Sequence, residues 1–276
     1  MIADARVCEL GEGPLWHPER GELFWFDIMG RRLLAKGREW AFPGYVSAAG
    51  WVDRDHLLIA AQDGLHLFDI ATGGSEPVAA IEADNPLTRS NDGRADPQGG
   101  FWIGTMQIAP PRQAIGAIYR YYRGEVRRMF DRLTIPNAIC FAPDGRRAYF
   151  TDTAKAQIMT VPLDDDGWPK GDPVVLIDLA PDGLHPDGAI TDAAGNIWNA
   201  QWGAGRVAGY TPDGRFLRAI AFGAAQTSCP ALGGPDLTTL FCTTAAEGLD
   251  PPAPDAGKLF AAETDIVGRP EPRVIL

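Results

Sequence analysis

The sequence predicts an all-β fold, a six-bladed β-propeller, and three observations predict it. A turn signal followed by a short aromatic or β-branched run recurs six times along the 276 residues. The recurrences are separated by roughly one propeller blade. No segment carries a sustained 3.6-residue apolar period with caps at both ends, so no helical layer competes.

Taken in order, the turn at 18–21 leads into Glu22-Leu23-Phe24-Trp25-Phe26-Asp27, and the turn at 53–55 into residues 56–60. Residues 96–100 lead into 101–105, 143–146 into 147–152, 192–195 into 196–200, and 234–236 into 237–243. Each is a turn and then a strand. The central apolar residues Trp25, Leu58, Trp102, Tyr149, Trp198 and Phe241 are spaced by 33, 44, 47, 49 and 43 residues. Further strand-like runs at 64–68, 116–120, 206–210 and 258–261 supply enough strands for four-stranded blades. A β-sandwich is the alternative, but a sandwich does not repeat six times. An open ring would leave an unpaired strand edge at its seam. Residues 5–10 and 273–276 are both strand-like and are expected to meet in the last blade. The Pro-rich stretch at 250–255 reads as a loop within that blade, and residues 1–276 as a single domain.

Composition narrows the function. The formal net charge is −11 with a pI near 4.8, which excludes nucleic acid and acidic membrane as partners. The four cysteines, at 8, 140, 229 and 242, have no paired spacing and read as buried thiols. The first residues carry neither a basic nor an apolar signal region, and no apolar run approaches a membrane span. A cytoplasmic monomer is the expectation.

The chemistry lies at one phase of the repeat. Stepping back 11 to 13 residues from each central residue reaches Glu12, Ser47, Asn91, Asn137, Asp187 and Cys229. These positions fall where innermost strands begin, so their side chains are expected to converge on the ring axis. Carboxylates and amide oxygens packed together repel unless a cation sits among them. The oxygen-rich set suits Ca²⁺, Mg²⁺ or Mn²⁺ first, with Zn²⁺ or Fe²⁺ also compatible. Read singly, any of these residues is equally a turn former satisfying backbone groups.

The motifs Gly11-Glu12-Gly13-Pro14-Leu15-Trp16, Arg89-Ser90-Asn91-Asp92-Gly93 with Gly104-Thr105-Met106, Pro136-Asn137 with Pro143-Asp144-Gly145, and Pro186-Asp187-Gly188 with Trp202-Gly203 resemble the SMP-30/gluconolactonase/regucalcin family. Phe241-Cys242-Thr243-Thr244 is similar to that family's last-blade strand, so the resemblance runs through nearly the whole chain. It implies a divalent metal held by Glu12, Asn137 and Asp187, substrate contacts from Arg89 and Asn91, and Asp187 as the base. The bacterial sugar lactonases, such as xylonolactonases and gluconolactonases, look most similar. The expected activity is hydrolysis of aldonolactones. Hydrolysis of other esters or phosphotriesters on the same platform, or a non-catalytic calcium-binding propeller, are the alternatives. One departure stands out: the acidic sugar contact that animal members carry soon after Gly-Thr-Met is missing, with Gln107 or Gln113 as its candidate substitutes.

Among other residues, His17, His56, His66 and His185 form no zinc motif, and only His185 is placed to line a cavity. Asp164-Asp165-Asp166-Gly167 reads as a hairpin tip, and Asp92 as a buried partner to the ligand set. Trp16 and Trp202 lie near the ring, where an aromatic face can stack on a sugar or pack in the core.

Overall fold

Twenty-four strands form six four-stranded antiparallel sheets in the computed structural model, which describes residues 1–276. The innermost strands are Gly11–His17, Val46–Trp51, Thr88–Ala95, Pro136–Phe141, His185–Thr191 and Thr227–Gly233. Blades one to six are numbered in that order. The six central apolar residues all fall in the second strand of their blade, as their spacing predicts. The only helical turns are the 3-10 segments Thr153–Lys155 and Ala180–Asp182, and no helix is long and apolar enough to cross a membrane.

A blade cannot bury both its faces alone, and the core shows how the ring solves this. The apolar side chains sort into six clusters, one at each blade-to-blade interface. Phe24, Phe26 and Leu33 of blade one meet Leu57, Ile59 and Phe68 of blade two. Leu23, Trp25 and Leu34, on blade one's other face, meet Ala231 and Leu259 of blade six. Alternation along Glu22–Asp27 thus feeds two clusters from one strand.

The N-terminus closes the ring. Ile2–Asp4 pairs with Leu259–Glu263 as the outermost strand of blade six, and the Met1 amino group donates to the Ala261 carbonyl at 2.8 Å. The strand lies a few residues earlier than the sequence suggests. Residues 5–9 are held instead by non-strand contacts, including the Cys8 N–H donating to Gly257 O at 2.8 Å.

The expectation that residues 273–276 join the same blade is wrong. Blade six is already complete with four strands, and the C-terminal tail crosses the far end of the ring. It is tied to blade after blade on the way. Ala193 N–H donates to Val267 O at 2.8 Å, Arg269 Nη2 to Phe141 O at 2.8 Å, and Trp51 Nε1 to Glu271 O at 2.7 Å. Val274 N–H then donates to Trp51 O at 2.9 Å, and the fully buried Val274 side chain fills the space left by Gly50. A Cβ on Gly50 would lie 2.5 Å from Val274 Cγ2. Glu271 reaches up into the channel and pairs with Arg94 at 2.5 Å. Between tail and inner strands only about 20 Å³ stays open.

Arg94 and Glu271 are both largely buried, Glu271 accepts from Arg94 Nη1, and Arg94 Nε has no partner. Glu271→Ala therefore leaves an uncompensated buried guanidinium and should cost about 3–5 kcal/mol. Urea unfolding checks this, and a loss below about 1 kcal/mol would show the pair to be dispensable.

Candidate functional site

All six innermost strands are bulged near the phase that the sequence singles out. Register shifts fall between Glu12 and Leu15, Val46 and Ala48, Ser90 and Gly93, Asn137 and Cys140, Pro186 and Ala189, and Thr227 and Pro230. A bulge inserts one residue and re-aims its neighbours. The bulge needs a left-handed residue just after Glu12 and Asn137, supplied by Gly13 at φ 53° and Ala138 at φ 54°. Gly13 also has no room for a side chain, since a Cβ would lie 2.3 Å from Ser47 O.

The bulges turn Glu12, Asn91, Asn137 and Asp187 into one cavity of about 330 Å³, with Arg89 on its wall. The convergence holds for four of the six phase positions. Ser47 and Cys229 are fully buried outside the cavity lining. Ser47 donates to Ser90 Oγ at 2.8 Å, and Cys229 packs against Gly188.

A chain of hydrogen bonds fixes the polar floor. Arg89 Nη1 donates to Asn91 Oδ1 at 2.8 Å, and Asn91 Nδ2 donates to Asn137 Oδ1 at 2.8 Å. Asn137 Nδ2 donates to Thr153 Oγ1 at 2.9 Å, and Thr153 donates to Pro186 O, next to Asp187, at 2.7 Å. Blades three, four and five are linked in this way, and the carbonyl oxygen of Asn137 keeps a lone pair toward the cavity. Thr153 was not singled out in the sequence, because it follows a second strand and lies outside the repeated phase.

Glu12 and Asp187 are the unsatisfied members. Each carboxylate is some 95% buried, yet Glu12 Oε2 receives only the N–H of Gly13, at 2.9 Å. Burial first, then the nearby Asp92 carboxylate, pushes the Glu12 carboxyl above its usual range. Burial and then Glu12 itself push Asp187 well up. Asp92 lies beneath them, accepts the Ile139 N–H at 2.7 Å and is raised to about 6, mainly by burial. It is the buried partner that its place beside Asn91 suggests. Burial and the neighbouring Arg112 lower Arg89 to about 10, which leaves it charged at neutral pH.

The donor set fits a divalent ion. Nowhere do three His, Cys, Asp or Glu side chains gather as a metal cluster, so an ion here would draw on two carboxylates and the Asn137 carbonyl oxygen. That is a hard-cation set with room left for water or substrate. A cleft of about 810 Å³ elsewhere also carries carboxyls, of which Glu82 and Asp63 are committed. Glu82 there accepts from Thr88, Thr105 and Tyr119, and Asp63 pairs with His66.

Several other expectations resolve. His185 and Trp202 line the cavity, while Trp16 stacks on Phe241 at 6.0 Å, facing a different groove. Neither Gln107 nor Gln113 reaches the cavity. Gln107 instead braces its own loop, donating to Ala109 O and accepting the Gln113 N–H, both at 2.9 Å. The loop turns Arg112 inward in their place, opposite Glu247. All four cysteines are free and buried, and Asp164 caps the hairpin tip by accepting the Trp168 N–H at 2.8 Å.

Residues 10–246 match the model of the SMP-30/gluconolactonase/LRE-like region. The chain belongs to the SMP-30/gluconolactonase family. One family relative, in Rhizobium meliloti (strain 1021) and provisionally named sugar lactone lactonase, is 43% identical over 96% of this chain and 94% of its own. The L-arabinolactonase of Azospirillum brasilense is 36% identical over 97% of this chain and 92% of its own. Among solved structures, the calcium-binding protein regucalcin of Agrobacterium tumefaciens superposes with a TM-score of 0.95 at 40% identity, covering 100% of this chain and 97% of that one.

The raised carboxyls of this SMP-30/gluconolactonase-family protein have a thermodynamic consequence. With folded values above unfolded ones, the folded chain holds protons that the unfolded chain has released. Stability is then full below about pH 4, where free carboxyls are protonated, and falls as pH rises toward neutrality. His17, lowered chiefly by burial, contributes the opposite slope, so the comparison must be with Glu12→Gln. In chelator, the midpoint of thermal unfolding should fall more steeply with pH, from about 5 to 8, in the parent than in Glu12→Gln. A divalent ion should abolish the difference. Equal slopes in chelator would mean that Glu12 carries no burial penalty.

Proposed function

We propose that this protein is a metal-dependent lactonase that opens aldonolactones to aldonic acids. The observation that carries the reading is the pair of buried carboxylates, without a side-chain partner, facing an open cavity with a buried arginine on its wall. A purely structural ion needs no such wall. The names borne by the relatives support the same chemistry, and the polar and charged walls suit a sugar better than an apolar phosphotriester.

Glu12, Asn137 and Asp187 would hold the ion, with Ca²⁺, Zn²⁺, Fe²⁺, Mg²⁺ and Mn²⁺ all compatible with these donors. When bound, the ion supplies Lewis-acid polarisation of the lactone carbonyl. Arg89, whose Nη1 is held by Ser90 O and Asn91 Oδ1, would offer its remaining donors to the same oxygen and stabilise the negative charge that develops there. Asp187 takes a proton from the attacking water as the new C–O bond forms. The ring C–O bond then breaks, and the departing ring oxygen takes the proton back as the hydroxyl of the aldonic acid. Asn91, with its amide already bonded to Arg89 and Asn137, orients the ligand oxygen and accepts from a substrate hydroxyl. The substrate is a small molecule, and the protein acts as a monomer in the cytoplasm.

Asp187→Ala is expected to abolish turnover and weaken ion binding together. Near-normal lactone hydrolysis with the ion retained would contradict the assignment. Arg89→Met should lower kcat by about 10²–10³-fold while leaving ion affinity in place. Stripping with chelator and restoring single ions, with acid release followed over a panel of lactones, tests the whole reading. No ion-dependent acceleration over the spontaneous rate would favour a non-catalytic propeller.

A further inference from the structure

Two charged side chains approach each other across the mouth of the cavity. Arg112 lies on the loop between Phe101–Gln107 and Gly116–Tyr122 of blade three, and Glu247 on the loop after Thr239–Thr244 of blade six. Blades three apart in a ring of six are diametrically opposed, so the pair spans the opening. Arg112 Nη2 and Glu247 Oε1 stand 3.6 Å apart, within range of an ion pair and beyond that of a hydrogen bond.

Neither side chain is otherwise engaged. Arg112 Nε is shielded from solvent and donates to nothing. Glu247 is held through its main chain, its N–H donating to Glu9 O at 2.8 Å and its carbonyl accepting from Gln226 Nε2 at 3.1 Å. Its carboxylate is left with Arg112 alone. The loop carrying Arg112 is braced by Gln107, so the arrangement is preformed. Both line the same cavity as Arg89, Glu12 and Asp187.

A guanidinium only donates and a carboxylate only accepts, whereas a hydroxyl does both. A hydroxyl seated between Arg112 and Glu247 satisfies both at once. An anionic group there satisfies Arg112 but is repelled by Glu247, and a cationic one satisfies Glu247 but is repelled by Arg112. We propose that Arg112 and Glu247 form a specificity clamp that reads the hydroxyls on the edge of the bound lactone remote from its carbonyl, selecting uncharged polyhydroxylated lactones. The clamp rests on the lactonase reading and sharpens it.

The test compares the parent with Arg112→Met, Glu247→Gln and the double variant, on gluconolactone and on γ-butyrolactone, which has a lactone ring and no hydroxyls. For gluconolactone, KM should rise about 10- to 100-fold with kcat changed by less than about threefold. The double variant should be little worse than the poorer single variant. On γ-butyrolactone, kcat/KM should fall by less than about threefold, since the clamp has nothing there to read. Calorimetric binding of gluconate, the ring-opened product, should weaken by a factor similar to that in KM, with the thermal midpoint unmoved. Equal losses on both lactones, or an unchanged KM and gluconate affinity, would overturn the clamp. A parent chain that opens neither lactone with any ion would overturn the lactonase reading itself, and the clamp with it.

Discussion

Everything at this site follows from two carboxylates that the ring will not let apart. Glu12 and Asp187 sit on blades one and five, pushed into a shared cavity by bulges in strands locked by their neighbours. Burial strengthens the hold of both on their protons, with Asp92 adding to it at Glu12 and Glu12 adding to it at Asp187. A flexible site would relieve this by swinging one side chain into water. Here the only relief is a proton or a cation, and a cation also explains the amide oxygen of Asn137 beside them.

The rigidity has two sources. Blade six takes its outer strand from the N-terminus, so no unpaired edge remains through which the sheets might drift. The C-terminal tail then laces blade six to blades five, four, three and two across the far end, and Glu271 anchors Arg94 below Asp92. Positive charge at the base of the channel offsets part of the negative charge above it. The floor of the cavity is therefore built by residues from both chain ends as well as by the repeat itself.

The polar network divides its tasks by depth. At the bottom, Asp92 and Arg94 hold backbone and tail. Above them, Arg89, Asn91, Asn137 and Thr153 orient one another so that few polar atoms face the cavity without direction. At the rim, Arg112 and Glu247 have hydrogen-bonding capacity to spare. The proposed chemistry thus lies on strands, where positions are fixed, and the proposed selectivity on loops, where the sequence is free to vary.

How much of this the sequence carries depends on whether a residue obeys the repeat. Strand identity, blade number and the approach of Glu12, Asn137 and Asp187 to one cavity all follow from local turn chemistry and a roughly constant spacing, because each blade repeats one geometry. Ser47 and Cys229 share the phase yet miss the cavity, because a small side chain at that height is covered by its neighbours. Thr153, Arg112 and Glu247 lie outside the phase, on segments whose paths are set by contacts with other blades. The tail shows the same limit: residues 273–276 look like a strand, but blade six had no vacant edge, and the slot beside Gly50 took Val274 instead. The sequence by itself determined the repeating scaffold and the oxygen-bearing side chains it carries. Only the tertiary structure decided which non-repeating residues close the floor and the rim, because those contacts join segments that no local pattern relates.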